Sequence, residues 1–223
     1  MKLFLDSADE NHVKFWSGQG ILDGVTTNPS VLLRDGVTDP TATFASLARL
    51  IAPGVLHAEV TAESGAALVS EALMLSELGD NVAIKVPMLT PQGVPCLAEM
   101  HELAGAGVQV NTTACLSYGQ AALATKAGAR YVSIMLGRVD DEGGDGAAVI
   151  EEVRRWLDRW GYRTEIIAAS LRGPGDVRRA MDAGAHCVTV PPAILSKLAD
   201  HKYTRHTVQE FLDAADATAA KAA

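Results

Sequence analysis

Short apolar runs and helical segments alternate from one end of this chain to the other. That alternation constrains the fold more than any other feature. Strands are predicted at 2–6, 24–28, 55–60, 82–87, 108–113, 131–136, 165–170 and 187–190, each a brief run of the kind that a parallel sheet buries on both faces. Helices are expected between them, at 8–19, 39–51, 64–78, 94–104, 118–126, 147–160, 176–183 and 193–199, with a last one over 207–220. Three helix-to-strand joints share one grammar, A-G-A-G-V-Q-V from Ala104, A-G-A-R-Y-V from Ala127 and A-G-A-H-C-V from Ala183. Glycine there supplies a left-handed helix stop directly before an apolar strand.

Eight such units in 223 residues come to roughly 28 residues each, which suits a closed (β/α)8 TIM barrel. No Pro/Gly/Ser-rich linker interrupts them, so the reading is α/β, a single domain over 1–223, with an extra C-terminal helix forming an arm at 203–223. An open doubly wound sheet is the rival. It normally announces a nucleotide by a glycine-rich first turn, whereas the first strand here runs into D-S-A-D-E.

A formal charge of −8, from 19 basic and 27 acidic residues, argues against a nucleic-acid surface, which needs a basic face. An anionic substrate then requires arginines gathered locally. Hydrophobic content of 48% describes a soluble protein with ample core, and no run is long enough to span a bilayer. The opening M-K-L-F-L-D meets an acid too early for a signal peptide. Cys96, Cys115 and Cys187 are dispersed and read as small core residues in a reducing cytoplasm.

The stretch N-V-A-I-K-V-P at 81–87 places Lys85 inside an apolar strand ended by Pro87. Such a lysine is ion-paired, reaches solvent, or is desolvated into a neutral amine able to attack a carbonyl. Each other strand also carries a polar residue near its C-terminal end. In chain order the set is Asp6, Asn28, Glu59, Lys85, Thr113, Ser133, Ser170 and Thr189. Singly these read as caps or satisfied core polars. Converging on one barrel mouth, where active sites lie, they read as catalytic. Arg138 follows the sixth strand in L-G-R and Arg172 the seventh in A-S-L-R-G-P-G. Arginine with glycine amides past strand ends suits phosphate, the alternative being solvated surface arginines.

With these motifs assembled, the chain resembles the small transaldolases of the transaldolase and fructose-6-phosphate aldolase family. The likeness rests on F-L-D at 4–6, D-G-V-T-T-N-P-S at 23–30, A-E-V at 58–60, I-K-V-P at 84–87, N-T-T at 111–113, G-R-V-D-D at 137–141 and A-A-S-L-R at 168–172. The resemblance implies that Lys85 forms a Schiff base with a ketose phosphate. Glu59 would be the general acid/base, through a water held with Thr113, and Asp6 would take the proton from the donor hydroxyl. Thr26, Asn28 and Ser133 would orient the dihydroxyacetone unit, while Arg138, Ser170 and Arg172 would hold phosphate. It implies no cofactor and no metal, a place in the pentose phosphate pathway, and a homo-oligomer, a pentamer or a decamer.

Transaldolases of this family carry glutamate at position 59 and its aldolases glutamine, so Glu59 favours transaldolase. The segment V-S-I-M-L-G-R departs from the family pattern V-S-P-F-V-G-R at Ile134 and Met135. A softer methionine wall suggests an altered acceptor pocket. Three rivals stay open, a fructose-6-phosphate aldolase-type Schiff-base aldolase, a metal-dependent aldolase and a barrel that binds sugar phosphate without turnover. The loop D-D-E-G-G-D-G at 140–146 reads as solvated, without EF-hand spacing, and the six histidines form no ligand cluster. Trp156 and Trp160, four apart on one helix, are expected to pack or to serve an interface.

Overall fold

The computed structural model describes residues 1–222. In chain order its elements are β1 (Lys2–Asp6), α1 (Glu10–Gly18), β2 (Gly24–Thr26), α2 (Pro29–Arg34), α3 (Pro40–Ile51), β3 (Val55–Glu59), α4 (Gly65–Ser76) and β4 (Val82–Pro87). Then follow α5 (Leu97–Gly105), β5 (Gln109–Cys115), α6 (Tyr118–Ala127), β6 (Tyr131–Met135), α7 (Leu136–Asp141) and α8 (Gly146–Trp160). The chain continues with β7 (Glu165–Ala169), α9 (Pro174–Asp182), β8 (Cys187–Val190), α10 (Pro192–Ala199) and α11 (Lys202–Ala222). All eight strands pair in parallel, each with its sequence neighbours, and β8 closes onto β1. The fold is a single-domain (β/α)8 barrel with an additional C-terminal helix.

The glycine joints work as expected at two sites. Gly128 and Gly184 stop α6 and α9 at φ 104 and 84. At the third, Gly105 stays helical and the left-handed residue is Gly107, at φ 85. Two helices were not expected. Pro29 reads as a strand stop, but with Asn28 accepting from the Val31 N–H at 2.9 Å it starts α2 as an N1 proline. Leu136 to Asp141, expected as strand end and loop, is the short helix α7. The loop that follows is pinned and not merely solvated: Asp140 pairs with Arg179 at 2.6 Å, while Asp145 caps α8 and also holds Arg179.

Alternation sorts each strand into two faces. Outward residues such as Leu56, Ala58, Val82, Ile84 and Val86 join Leu68, Ala72, Leu75, Met100 and Leu103 of α4 and α5 in the main core. At roughly 1.5–3 kcal/mol per buried large aliphatic side chain, this layer is the principal support of the barrel. Inward residues form a second, smaller cluster of Phe4, Ala83, Tyr131, Ile167 and Cys187, which plugs the barrel. Below it Glu165 binds Lys2 at 2.8 Å and Arg130 at 2.6 Å. Above it the inward side chains are mostly polar, Met135 at the end of β6 being an exception. The three cysteines are buried and free, as small core residues.

α11 stands apart from the barrel, with Arg205 paired to Asp200 at its start. It is exposed along its described length, including Tyr203, Val208, Phe211 and Leu212 at 50–69%. The arm expected at 203–223 thus begins one residue earlier, and its last residue lies outside the described ones. No described helix is long and apolar enough to cross a membrane.

Candidate active site

Lys85 points into the barrel because it shares the inward face of β4 with Ala83, while Ile84 and Val86 turn to the helices. It is 6% exposed. Its Nζ donates to the Thr27 carbonyl at 2.6 Å and lies 2.9 Å from Glu59 Oε2. Register sets this contact: Glu59 on β3 pairs with Lys85 on β4, and Lys85 pairs in turn with Asn111 on β5. Of the three readings open for this lysine, ion-paired, solvent-reaching or desolvated and bare, the structure shows it paired with Glu59.

On the other side of the mouth, Asp6 ends β1 in register with Thr26. Thr26 Oγ1 donates to Asp6 Oδ1 at 2.9 Å and also meets Thr189 Oγ1 at 2.5 Å. Burial holds the Asp6 carboxyl above the ordinary carboxylate range, although the charge of Lys85 and the Thr26 hydroxyl pull the other way. Arg34, supplied by the unexpected α2, donates to the Asp6 carbonyl at 3.0 Å and to Asp35. Asp35 in turn accepts from the Ser7 hydroxyl and the Ala8 N–H, and so fixes the loop after β1.

Thr113 is buried on the inward face of β5, just before a register shift at which Ala114 takes φ 56. It makes no hydrogen bond to Lys85 or Glu59 among the described residues, so a Thr113–Glu59 link requires an intervening water. Ser133 donates to Asn111 Oδ1 at 2.9 Å, and Asn111 Nδ2 meets His57 Nδ1 at 3.1 Å. Asn111 and His57 escape the sequence reading, although Asn111 stands in the same N-T-T motif as Thr113 and its mid-strand polarity is a usable signal.

Asn28, expected to orient the dihydroxyacetone unit, and the three phosphate candidates lie farther out. Asn28 is at the mouth, its Oδ1 committed to capping α2. Arg138 is exposed on α7 and has no ion pair or hydrogen bond among the described residues. Ser170 leaves β7 in the left-handed region at φ 60, a cost of about 1–2 kcal/mol for a residue other than glycine, and strain of this kind collects at functional sites. Gly137 explains why α7 reaches it: a Cβ there would sit 2.2 Å from the Ser170 carbonyl oxygen. Arg172 is exposed, and both arms of its guanidinium are taken by the Asp141 carboxylate. A carboxylate thus stands where phosphate oxygens are expected. Ile134 is fully buried in the barrel–helix layer and lines no mouth, whereas Met135 ends the inward face half-buried.

The mouth therefore joins a buried amine, two carboxylates in unlike settings, hydroxyls and amides beneath them, and arginines at the rim. Such a set can form an imine with a ketone and shuttle protons around it. A cleft of about 860 Å³ on the outer wall, lined by Tyr118, Trp156 and Trp160, contains none of these groups. There Trp156 stacks on Tyr162 at 4.7 Å while Trp160 is exposed.

Comparison with known proteins gives a consistent picture. Residues 3–223 match the family model described as Transaldolase/Fructose-6-phosphate aldolase. A probable transaldolase of Chelativorans sp. is 42% identical over 214 residues, covering 95% of both chains. One from Lactiplantibacillus plantarum is 38% identical over 211 residues, covering 95% of this chain and 94% of the other. Among solved structures, a thiamine phosphate pyrophosphorylase from Pyrococcus furiosus superposes with a TM-score of 0.57 at 12% identity over 85% of each chain, a likeness of fold alone. The chain belongs to the transaldolase/fructose-6-phosphate aldolase family.

Proposed function

We propose that this protein is a transaldolase that moves a dihydroxyacetone unit from a ketose phosphate to an aldose phosphate through a Schiff base on Lys85. The observation that carries the reading is the inward, buried Lys85 held 2.9 Å from Glu59. Proton transfer from the ammonium towards Glu59 frees the amine to attack the ketone carbon. Glu59 returns a proton as the carbinolamine loses water, with Thr113 holding the relaying water. Asp6 then takes the proton of the hydroxyl next to the scissile bond. As that bond breaks, its electron pair passes into the iminium as an enamine and the aldose phosphate leaves. The acceptor aldehyde reverses the sequence, with Asp6 returning the proton.

The unlike surroundings of the two carboxylates support this division of labour. Glu59 faces a cation, whereas Asp6 is kept protonation-prone by burial. Thr26, Asn28 and Ser133 orient the dihydroxyacetone unit, and Arg138, Ser170 and Arg172 bind phosphate, Asp141 giving way to it. The setting is the cytoplasm and the pentose phosphate pathway. The assembly is a homo-oligomer in which the apolar face of α11 is covered by another copy. Borohydride reduction with fructose 6-phosphate and peptide mass spectrometry tests the reading: an adduct on Lys85 is expected. Its absence, with phosphate binding intact, would leave only a sugar-phosphate-binding barrel.

A further inference from the structure

A hydrogen-bonded file runs down the barrel wall beneath Lys85, and the steps above leave its lowest member unused. His57 has no exposed surface. Its ring lies 5.0 Å from the Phe4 ring and 4.8 Å from the Tyr131 ring, centroid to centroid. The Asn111 amide turns Oδ1 to the Ser133 hydroxyl and Nδ2 to His57 Nδ1, at 3.1 Å, and in this orientation Nδ2 donates to the ring. That places the imidazole proton on Nε2, a buried atom with no hydrogen-bond partner among the described residues. Burial, then the charges of Lys85 and Lys2, push the imidazole down to about 3, so the ring is neutral at any working pH.

An unpaired N–H in a plug of Phe4, Ala83, Tyr131 and Ile167 costs stability that an apolar ring would not. What His57 provides lies at its other nitrogen. We infer that His57 is a positioning residue that sets the hydrogen-bond direction of the Asn111–Ser133 pair. Facing a nitrogen that must accept, the Asn111 amide is held with Oδ1 towards Ser133. The Ser133 proton is then committed to Asn111, and its lone pairs remain to accept from a donor hydroxyl. Asn111 keeps a second N–H on Nδ2. Without the acceptor at His57 the amide is free to turn over, and Ser133 changes from acceptor to donor. The inference rests on the Schiff-base reading, in which Ser133 orients the dihydroxyacetone unit.

The test compares His57→Phe, a ring with no acceptor, with His57→Gln, whose carbonyl restores one. With fructose 6-phosphate as donor, H57F should lower kcat by about tenfold or more, the scale of one misdirected hydrogen bond, with thermal stability held or raised. H57Q should recover most of the loss. An H57F enzyme within twofold of wild type, or two variants equally impaired, would overturn the inference. Histidine ¹⁵N NMR of the full chain decides independently of turnover and of whether H57F folds. The proton should stay on His57 Nε2 between about pH 5 and 9, and a proton on Nδ1 would refute the assignment. A wild type that forms no borohydride adduct would instead sink the Schiff-base reading and leave the tautomer result standing.

Discussion

Glu59 and Lys85 meet at 2.9 Å because they occupy one rung of the barrel, paired in register on adjacent parallel strands. Neither side chain has to reach. The distance is fixed by the ladder, and every rung nearby is walled by the apolar outer faces of β3 and β4. A pair held this way is rigid, and on the proposed reading it is already placed for proton exchange.

Removing the pair whole should therefore cost less than the two one-sided breaks added together. Lys85→Met strands the Glu59 carboxylate and Glu59→Gln leaves the amine facing a neutral amide, each destabilising by roughly 3 kcal/mol. The double variant should lose clearly less than the sum, with a coupling of about 1–3 kcal/mol by urea denaturation. Turnover separates the roles: Lys85→Met is inactive, whereas Glu59→Gln lowers kcat by about 10²–10⁴-fold.

Asp6 makes a prediction of opposite sign in stability and in activity. Its folded-state pKa is raised by burial, so the stabilising contribution of the neutral carboxyl is complete below the unfolded value, near 3.8. That contribution is lost as pH rises through the folded value. Above the folded value the ionised Asp6 is a burden, and Asp6→Asn should raise the melting temperature there. The gain should vanish as the pH falls below 4 or so. Activity should disappear at every pH, and the acidic limb of the wild-type kcat profile should lie above the ordinary carboxylate range.

Arg138 is the rim arginine without an intramolecular partner among the described residues, so it needs no release before binding an anion. Arg138→Ala should raise KM for fructose 6-phosphate by about ten- to a hundredfold, the worth of one charged hydrogen-bond set. With unphosphorylated dihydroxyacetone as donor the same variant should match wild type. Equal losses with both donors would remove Arg138 from the phosphate site.

The barrel is legible in the sequence because strand-length apolar runs and glycine stops recur in step, and both are local signals. α2 and α7 are not, for different reasons. In α2, Pro29 both ends one element and opens the next, and only the Asn28 cap decides between them. In α7, a glycine and two aspartates argue against helix, and the turn is held by Asp140–Arg179 and Asp141–Arg172, contacts from distant sequence. The strand-end ring is legible as residue types, yet its partners are not. His57 and Asn111 are 54 residues apart, and Asn111 and Ser133 are 22 apart, so their hydrogen bonds exist only once the barrel closes.

The same closure corrects the view of the acceptor wall. Ile134 faces the helices, which leaves Met135 as the residue of that pair at the mouth. A flexible thioether should tolerate acceptors that a rigid ring excludes. Met135→Phe should therefore narrow the range, raising the kcat/KM ratio of erythrose 4-phosphate over longer aldose phosphates by several-fold. A wild type with a plain preference for erythrose 4-phosphate would count against an altered pocket.

Gly137 joins the fold to the proposed phosphate site, and a single methyl group tests the connection. A Cβ at this position would lie 2.2 Å from the Ser170 carbonyl oxygen and 3.0 Å from Arg172 Nε. The first contact is backbone, and Ser170 is already held at φ 60, so neither side has slack. Gly137→Ala should force α7 away from the end of β7, at a cost of about 1–3 kcal/mol. It should raise KM for fructose 6-phosphate more than for dihydroxyacetone, because it moves Ser170 and Arg172 and leaves the Lys85 rung in place. Gly119→Ala on α6, where nothing lies within 4 Å, supplies the control and should be neutral or stabilising by up to about 1 kcal/mol. Equal behaviour of the two alanine variants would mean that the contact between α7 and β7 does not shape the phosphate end of the site.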